Sequence, residues 1–328
     1  MMTKYLSPSN LLFSTTLILS TMMIITSSNW IMIWMSMEMN LMSFIPLIIF
    51  SSSYREIEAA TKYFLIQSIG SALMLTTIFI FYSSTLIFIS SLLFCFSMSL
   101  KMGMAPLHLW FPQVLSIMSW PMILVAATWQ KVGPMSILSY STSLWDYQIL
   151  IIMATMNALV GTWGGLSQTQ LRPLIAYSSI SHMGWMLSSM IISSNMMIIY
   201  LIFYSIVTLS VIIPLIFMEK QSTAKFNLTN FSSQYFSSMT ALNILSMGGM
   251  PPMVGFFPKW LVISSLIYLT PTLTLILTTS SMLSLYFYLK IMMTVTMNTS
   301  KSMSLKSKSS LKAPFLYLTF PHLMLLIY

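Results

Sequence analysis

Charge is what this sequence has least of. Only 6% of its 328 residues are Asp, Glu, Lys or Arg, whereas a soluble domain carries about 25%; a water-soluble enzyme and a charge-solvated disordered chain are both excluded. The single cysteine, Cys95, excludes a disulfide-stapled secreted domain and cannot hold an iron–sulfur cluster. The histidines are His108, His182 and His322; no two share a helix face, which argues against bis-His haem ligation or a copper centre. The glycines form no phosphate-binding loop, so no nucleotide site is expected. The net charge of +9 comes from basic residues too few and too scattered for a nucleic-acid patch.

Apolar residues are what is there: 57% of the chain, with a mean hydropathy of +0.85. Length alone suggests about two soluble domains, but this hydropathy overrides it and defines a multi-span membrane protein. The 34 Met and a marked excess of Ser exceed what bilayer helices require. Such a skew points to mutational bias in a small organellar genome. Residues Met1 to Asn10 lead into apolar sequence with no cleavable signal or Arg-rich transit peptide, as expected of a product made inside the organelle.

A spanning helix needs roughly 20 apolar residues, and about ten such segments can be marked. They fall at 10–28, 30–50, 59–82, 84–107, 115–141, 147–167, 171–192, 195–218, 236–263 and 270–293. The two longest, 115–141 and 236–263, contain Gly and Pro and are expected to be broken or strongly tilted. Residues 1–300 form one transmembrane domain. The remainder, 301–328, is a basic tail ending in an apolar stretch, Ala313 to Tyr328, which is short for a span and is expected at the interface or against a partner. The Trp residues at 30, 34, 110 and 120 read as interface anchors, and His108 as interfacial.

Alternating spans sort the charges. One face collects Lys4, Arg55, Lys62, Arg172, Lys220, Lys225, Lys290, Lys301, Lys306, Lys308 and Lys312; the other has only Asp146. That separation is what the positive-inside rule predicts. In a mitochondrion it places the N-terminus and the basic tail in the matrix.

Four charges stay within the spans: Glu38, Lys101, Lys131 and Lys259. Each costs about 2.5–3.5 kcal/mol near the bilayer centre, together on the order of 10 kcal/mol, and Met or Leu would remove the cost. Gly103 and Pro106 follow Lys101, Gly133 and Pro134 follow Lys131, and Gly255 and Pro258 precede Lys259. A proline inside a helix leaves a carbonyl free four residues back, here those of Met102, Gln130 and Val254. Broken helices are tolerated in membranes only inside protein or along a wet cavity, so a hydrated polar track is expected. Burial disfavours a charged amine and a nearby carboxylate restores it, so an amine with a changing partner exchanges protons. One negative and three positive charges leave an excess. Either some lysines are neutral in part of a cycle, or adjoining subunits supply carboxylates. A structural ion pair at Glu38 and snorkelling of Lys101 from a helix end are the simpler alternatives. His182, in mid-span, is either a hydrogen-bonded packing residue or a further relay.

Several runs carry a resemblance. They are Trp-Met-Ser-Met-Glu-Met-Asn-Leu-Met-Ser-Phe-Ile-Pro-Leu-Ile (34–48), Glu-Ala-Ala-Thr-Lys-Tyr-Phe-Leu-Ile-Gln-Ser (58–68) and Lys-Met-Gly-Met-Ala-Pro-Leu-His-Leu-Trp-Phe-Pro (101–112). Further along come Thr-Trp-Gln-Lys-Val-Gly-Pro (128–134), Leu-Arg-Pro-Leu-Ile-Ala-Tyr-Ser-Ser-Ile-Ser-His-Met-Gly-Trp (171–185) and Gly-Gly-Met-Pro-Pro-Met-Val-Gly-Phe-Phe-Pro-Lys-Trp (248–260). Over most of the chain, and in order, these resemble the subunit-2 family of NADH dehydrogenase, antiporter-like subunits in the proton-pumping arm of respiratory complex I. The length and Met content are similar to animal, particularly insect, mitochondrial members.

The resemblance implies an all-α polytopic fold with inverted five-helix repeats, each with a broken helix, lacking the first three helices of the ancestral form. It implies that Glu38 pairs with Lys101, that Lys131 is the central relay and that Lys259 lies on the exit side. Ser36 and Met37 stand where the family usually has Gly-Leu, which touches packing near Glu38. The function implied is proton translocation as part of NADH:ubiquinone reductase in the mitochondrial inner membrane. No cofactor is expected in this chain, with FMN and iron–sulfur clusters in partner subunits. Neighbours would be subunits 4L and 4, accessory subunits and phospholipids. A subunit of a multi-subunit cation/proton antiporter is the alternative, and a passive scaffold a further one.

Overall fold

The computed structural model describes residues 8–49, 53–83, 87–141, 147–221 and 231–303. Lys4, Asp146, Lys225, Lys306, Lys308, Lys312, His322 and the stretch Ala313 to Tyr328 lie outside the described residues. The described residues are helical in the main: α1 Pro8–Thr26, α2 Trp30–Ile48, α3 Tyr54–Ser83, α4 Ile87–Met102, α5 Trp110–Ile117, α6 Trp120–Ala127, α7 Trp129–Tyr140, α8 Tyr147–Leu166, α9 Leu171–Ile192, α10 Ser194–Gln221, α11 Phe231–Gly248, α12 Phe256–Leu269 and α13 Pro271–Met303. Six of them, α1, α2, α3, α8, α10 and α13, are each long and apolar enough to cross a bilayer.

Helices occupy the expected segments among the described residues, with boundaries moved for physical reasons. The 84–107 segment stops at Met102, where Gly103 takes φ +67°, the left-handed conformation that ends helices. The 115–141 segment is three helices, the first beginning earlier at Trp110. The 236–263 segment divides after Gly248, next to Gly249 at φ +78°. The two breaks, 103–109 and 249–255, are thus built alike. Helix α3 begins at Tyr54, earlier than expected, and draws Lys62 into an exposed 2.6 Å ion pair with Glu58.

Helix α9 is the axis of the packing. Every residue from Ser178 to Met190 is buried, and the helix touches α5, α8, α10, α12 and α13. Its closest neighbour is α8. A Cβ on Gly184 would lie 2.8 Å from the Ala154 carbonyl, and one on Gly161 would run into the Ser181 backbone; small residues at such contacts let membrane helices approach closely. The abundant serines are accommodated locally. Ser20, Ser178 and Ser188 each donate to the carbonyl three residues back, on Leu17, Ile175 and Trp185, at 2.8 Å, which satisfies the hydroxyl without leaving the helix.

Two tryptophans expected at the interface are core residues instead. Trp110 and Trp120 are buried against Tyr63, Val114 and Ile123 in the same apolar cluster. Trp30 packs edge-on to Phe94 and Trp34 donates to the Ser71 carbonyl at 3.2 Å. The exposed aromatic side chains are others, Tyr54, Tyr140, Trp163 and Tyr268 among them.

Candidate functional site

The first break begins one residue after the helix that carries Lys101. The amides of Gly103 and Met104 donate to the carbonyls of Leu100 and Ser99 at 3.4 and 2.9 Å, the paired bonds of a Schellman end. Lys101's own carbonyl accepts from Gln67 Nε2 on α3 at 3.0 Å. Within the break, the Ala105 amide donates to Asn157 Oδ1 on α8 at 2.8 Å, and Asn157 Nδ2 donates to Met153 O at 2.7 Å. The polar backbone freed by Gly103 and Pro106 is therefore taken up by two side-chain amides. Neither Gln67 nor Asn157 was marked in the sequence; an amide in an apolar span is the signal that would have found them.

The Lys101 side chain is buried and lies against Gly70. Glu38, half-buried on α2, acts on it through space, with no salt bridge between them among the described residues. A cavity of about 20 Å³ beside Lys101 is lined by Met37, Asn40, Leu41, Tyr63, Gln67, Gln130 and Pro134. That is room for about one water molecule.

Lys131, on α7, is 2% exposed. Its amine faces the Ser179 carbonyl at 3.4 Å and the Tyr204 hydroxyl at 3.5 Å, both long for a hydrogen bond. It also lies 5.0 Å from the centre of the Tyr204 ring and 5.6 Å from that of Phe111, within cation–π range. Lys131 is thus held loosely.

His182 sits between Lys131 and Lys259 in the electrostatic sense, feeling both. Its Nδ1 pairs with the Tyr200 hydroxyl at 2.9 Å, and the ring lies 5.2 Å from the Tyr204 ring. His182 thus packs on the same tyrosine that faces Lys131. A smaller cavity of about 10 Å³ is lined by His182, Tyr200, Tyr204, Ser246 and Pro258 among others.

At the second break the free carbonyl is not the one expected. Pro258 occupies the first turn of α12, where a missing amide costs nothing. The unpaired end is that of α11, and Lys259 Nζ donates to the Gly248 carbonyl at 2.8 Å. The lysine runs over Gly249, where a Cβ would come 2.9 Å from its Cδ, and its amine lies 5.8 Å from the Trp185 ring centre. Ser179, His182 and Trp185 follow one another at three-residue spacing on α9, so one face of that helix addresses both Lys131 and Lys259.

The excess positive charge thus meets a third kind of compensation besides neutral lysines and foreign carboxylates. Lys101 lies in the last turn of α4, where a helix carries partial negative charge. Lys259 is bonded to the end of α11, and Lys131 faces a carbonyl and two ring faces.

A polytopic helical protein with two interrupted helices and amines lodged at the breaks is of the antiporter-like class. The comparisons agree on it. Residues 27–284 match the family model described as NADH:quinone oxidoreductase/Mrp antiporter, transmembrane, a span that contains Glu38, Lys101, Lys131, His182 and Lys259. The chain is 39% identical over 260 residues to NADH-ubiquinone oxidoreductase chain 2 of Crocidura suaveolens gueldenstaedtii, covering 77% of this chain and 75% of that one. It is 42% identical over 272 residues to the chain of the same name from Locusta migratoria, covering 80% and 78%. A chain in the structure of respiratory complex I from Thermus thermophilus with bound aureothin superposes with a TM-score of 0.74 at 19% identity, over 90% of this chain and 77% of that one. The chain belongs to the NADH:quinone oxidoreductase/Mrp antiporter transmembrane family.

Proposed function

We propose that this chain is a core membrane subunit of NADH:ubiquinone oxidoreductase, complex I, and that it moves protons through Glu38, Lys101, Lys131, His182 and Lys259 while electrons pass elsewhere. The name carried by the relatives at 39% and 42% identity supports complex I over a separate cation/proton antiporter. FMN and the iron–sulfur clusters belong, in this reading, to partner subunits. The chain would lie in the mitochondrial inner membrane with its basic face toward the matrix, beside subunits 4L and 4.

The mechanism is electrostatic. Glu38 is half-buried, and its helix exposes Met35, Met39 and Met42 alongside it, so an adjoining chain can bring charge to it. Glu38 and Lys101 interact without touching, which makes their coupling sensitive to such a charge. A shift there alters the proton affinity of Lys131, whose partners are long and replaceable, and then that of His182 and Lys259.

The observation that carries the reading is the loose hold on Lys131, a fully buried amine whose nearest hydrogen-bond partners are 3.4 and 3.5 Å away. An amine kept for stability alone would be tightly bonded, since a buried charge needs close partners to offset desolvation. The test is Lys131→Met in the intact assembly of a tractable homologue, with the ratio of protons pumped to electrons transferred as the readout. The ratio is expected to fall. A normal ratio with normal assembly overturns the relay.

A further inference from the structure

Beside Lys101 three polar atoms are left over. Asn40 Oδ1 and Gln130 Nε2 are buried without a hydrogen-bond partner, and the Lys101 amine makes no hydrogen bond to protein among the described residues. All three residues line one cavity of about 20 Å³. Asn40 lies two positions beyond Glu38 on α2, and Gln130 immediately precedes Lys131 on α7.

The polarity of these atoms is complementary to one small molecule. Lys101 and the Gln130 amide donate, and Asn40 Oδ1 accepts. One water can accept from both donors and donate to Asn40, giving the three bonds usual for buried water, and the cavity has the volume for one. We propose that this cavity is a built site for a single water, and that Asn40 and Gln130 are positioning residues that join Lys101 through it to the helix carrying Lys131.

The site serves both states of the amine. When Lys101 is protonated, the water accepts from its N–H and donates one O–H to Asn40. When Lys101 is neutral, the water turns its second O–H to the amine nitrogen, still donates to Asn40 and still accepts from Gln130. Asn40 Oδ1 and Gln130 Nε2 each keep a partner in both states, so the amine can change charge without side chains being rearranged. A direct bond from Gln130 Nε2 to the amine nitrogen would serve only the neutral state, because an ammonium has no lone pair to accept it.

This inference rests on the proposed relay, and its failure can be told from the failure of the relay. In the intact assembly, Asn40→Leu and Gln130→Leu are each expected to lower NADH-driven pumping by about tenfold, the effect of stranding one buried polar partner. The double variant is expected to lose no more than either single one, because both act through the same molecule. A density map of the unaltered assembly is expected to show an ordered water within hydrogen-bond distance of Asn40 Oδ1, Gln130 Nε2 and Lys101 Nζ. A dry cavity, additive losses, or full pumping in both single variants overturns the site. If Lys131→Met abolishes pumping while both amide variants pump normally, the relay stands and the water site falls.

Discussion

Asn157 offers the most direct test of how the first break is held. Replacing it with Leu keeps the bulk of the side chain and removes two hydrogen bonds, to the Ala105 amide at 2.8 Å and to the Met153 carbonyl at 2.7 Å. The second loss is mild, because that carbonyl already accepts within α8. The first is not. Ala105 is fully buried, and a buried amide with no acceptor costs about 1–3 kcal/mol. At 1.4 kcal/mol per factor of ten, the segment 103–109 should open about 5- to 150-fold more often. Amide hydrogen exchange of the solubilised assembly reads this directly, since exchange follows local opening. The peptide spanning the break should lose protection by that factor while α9 is unchanged, and Asn157→Asp, which keeps an acceptor, should lose less. Unchanged exchange at Ala105 in Asn157→Leu would refute the assignment of Asn157 as the clasp of the break.

Other substitutions separate packing from proton handling. Gly103→Ala should impair assembly more than Gly249→Ala. Both incur about 1–2 kcal/mol for a left-handed residue, but the new methyl meets the Phe111 Cβ at 2.6 Å in the first case and the flexible end of Lys259 at 2.9 Å in the second; levels of assembled complex on native gels decide the order. Lys131→Met should leave the thermal midpoint of the assembly unchanged or raised even as pumping fails, because only long bonds are lost and a buried amine is removed. A midpoint lowered by several degrees would make Lys131 a structural residue. Tyr204→Phe keeps the ring over Lys131 and removes the hydroxyl; pumping should slow with a stability change of about 1 kcal/mol or less, and an unchanged rate would take Tyr204 out of the path.

The helices were legible in the sequence wherever a long apolar run decided them, as at Trp30–Ile48, Tyr147–Leu166 and Ser194–Gln221. The same is true of the intramembrane charges, whose cost makes them conspicuous. Proline alone does not locate the breaks: Pro134 lies inside α7. The left-handed glycines Gly103 and Gly249 end the helices, and Pro258 merely starts the next one. What sequence could not supply was the company each charge keeps. Which carbonyl meets Lys259, which amides close the first break, and that Trp110 and Trp120 turn inward all depend on packing between segments distant along the chain.

The burial of α9 has a consequence for how the protein is made. Its serines and histidine leave it outside the set of helices apolar enough to cross a bilayer unaided, although it stands at the centre of the finished molecule. Recognition of a span by an insertion machinery depends on its hydrophobicity, so α9 is poorly fitted to enter lipid alone. Helix α8, which is apolar enough and meets α9 backbone to backbone at Gly161 and Gly184, is its natural chaperone. The pair is best delivered to the membrane together, as a hairpin whose tight seam already hides the polar stripe from the acyl chains.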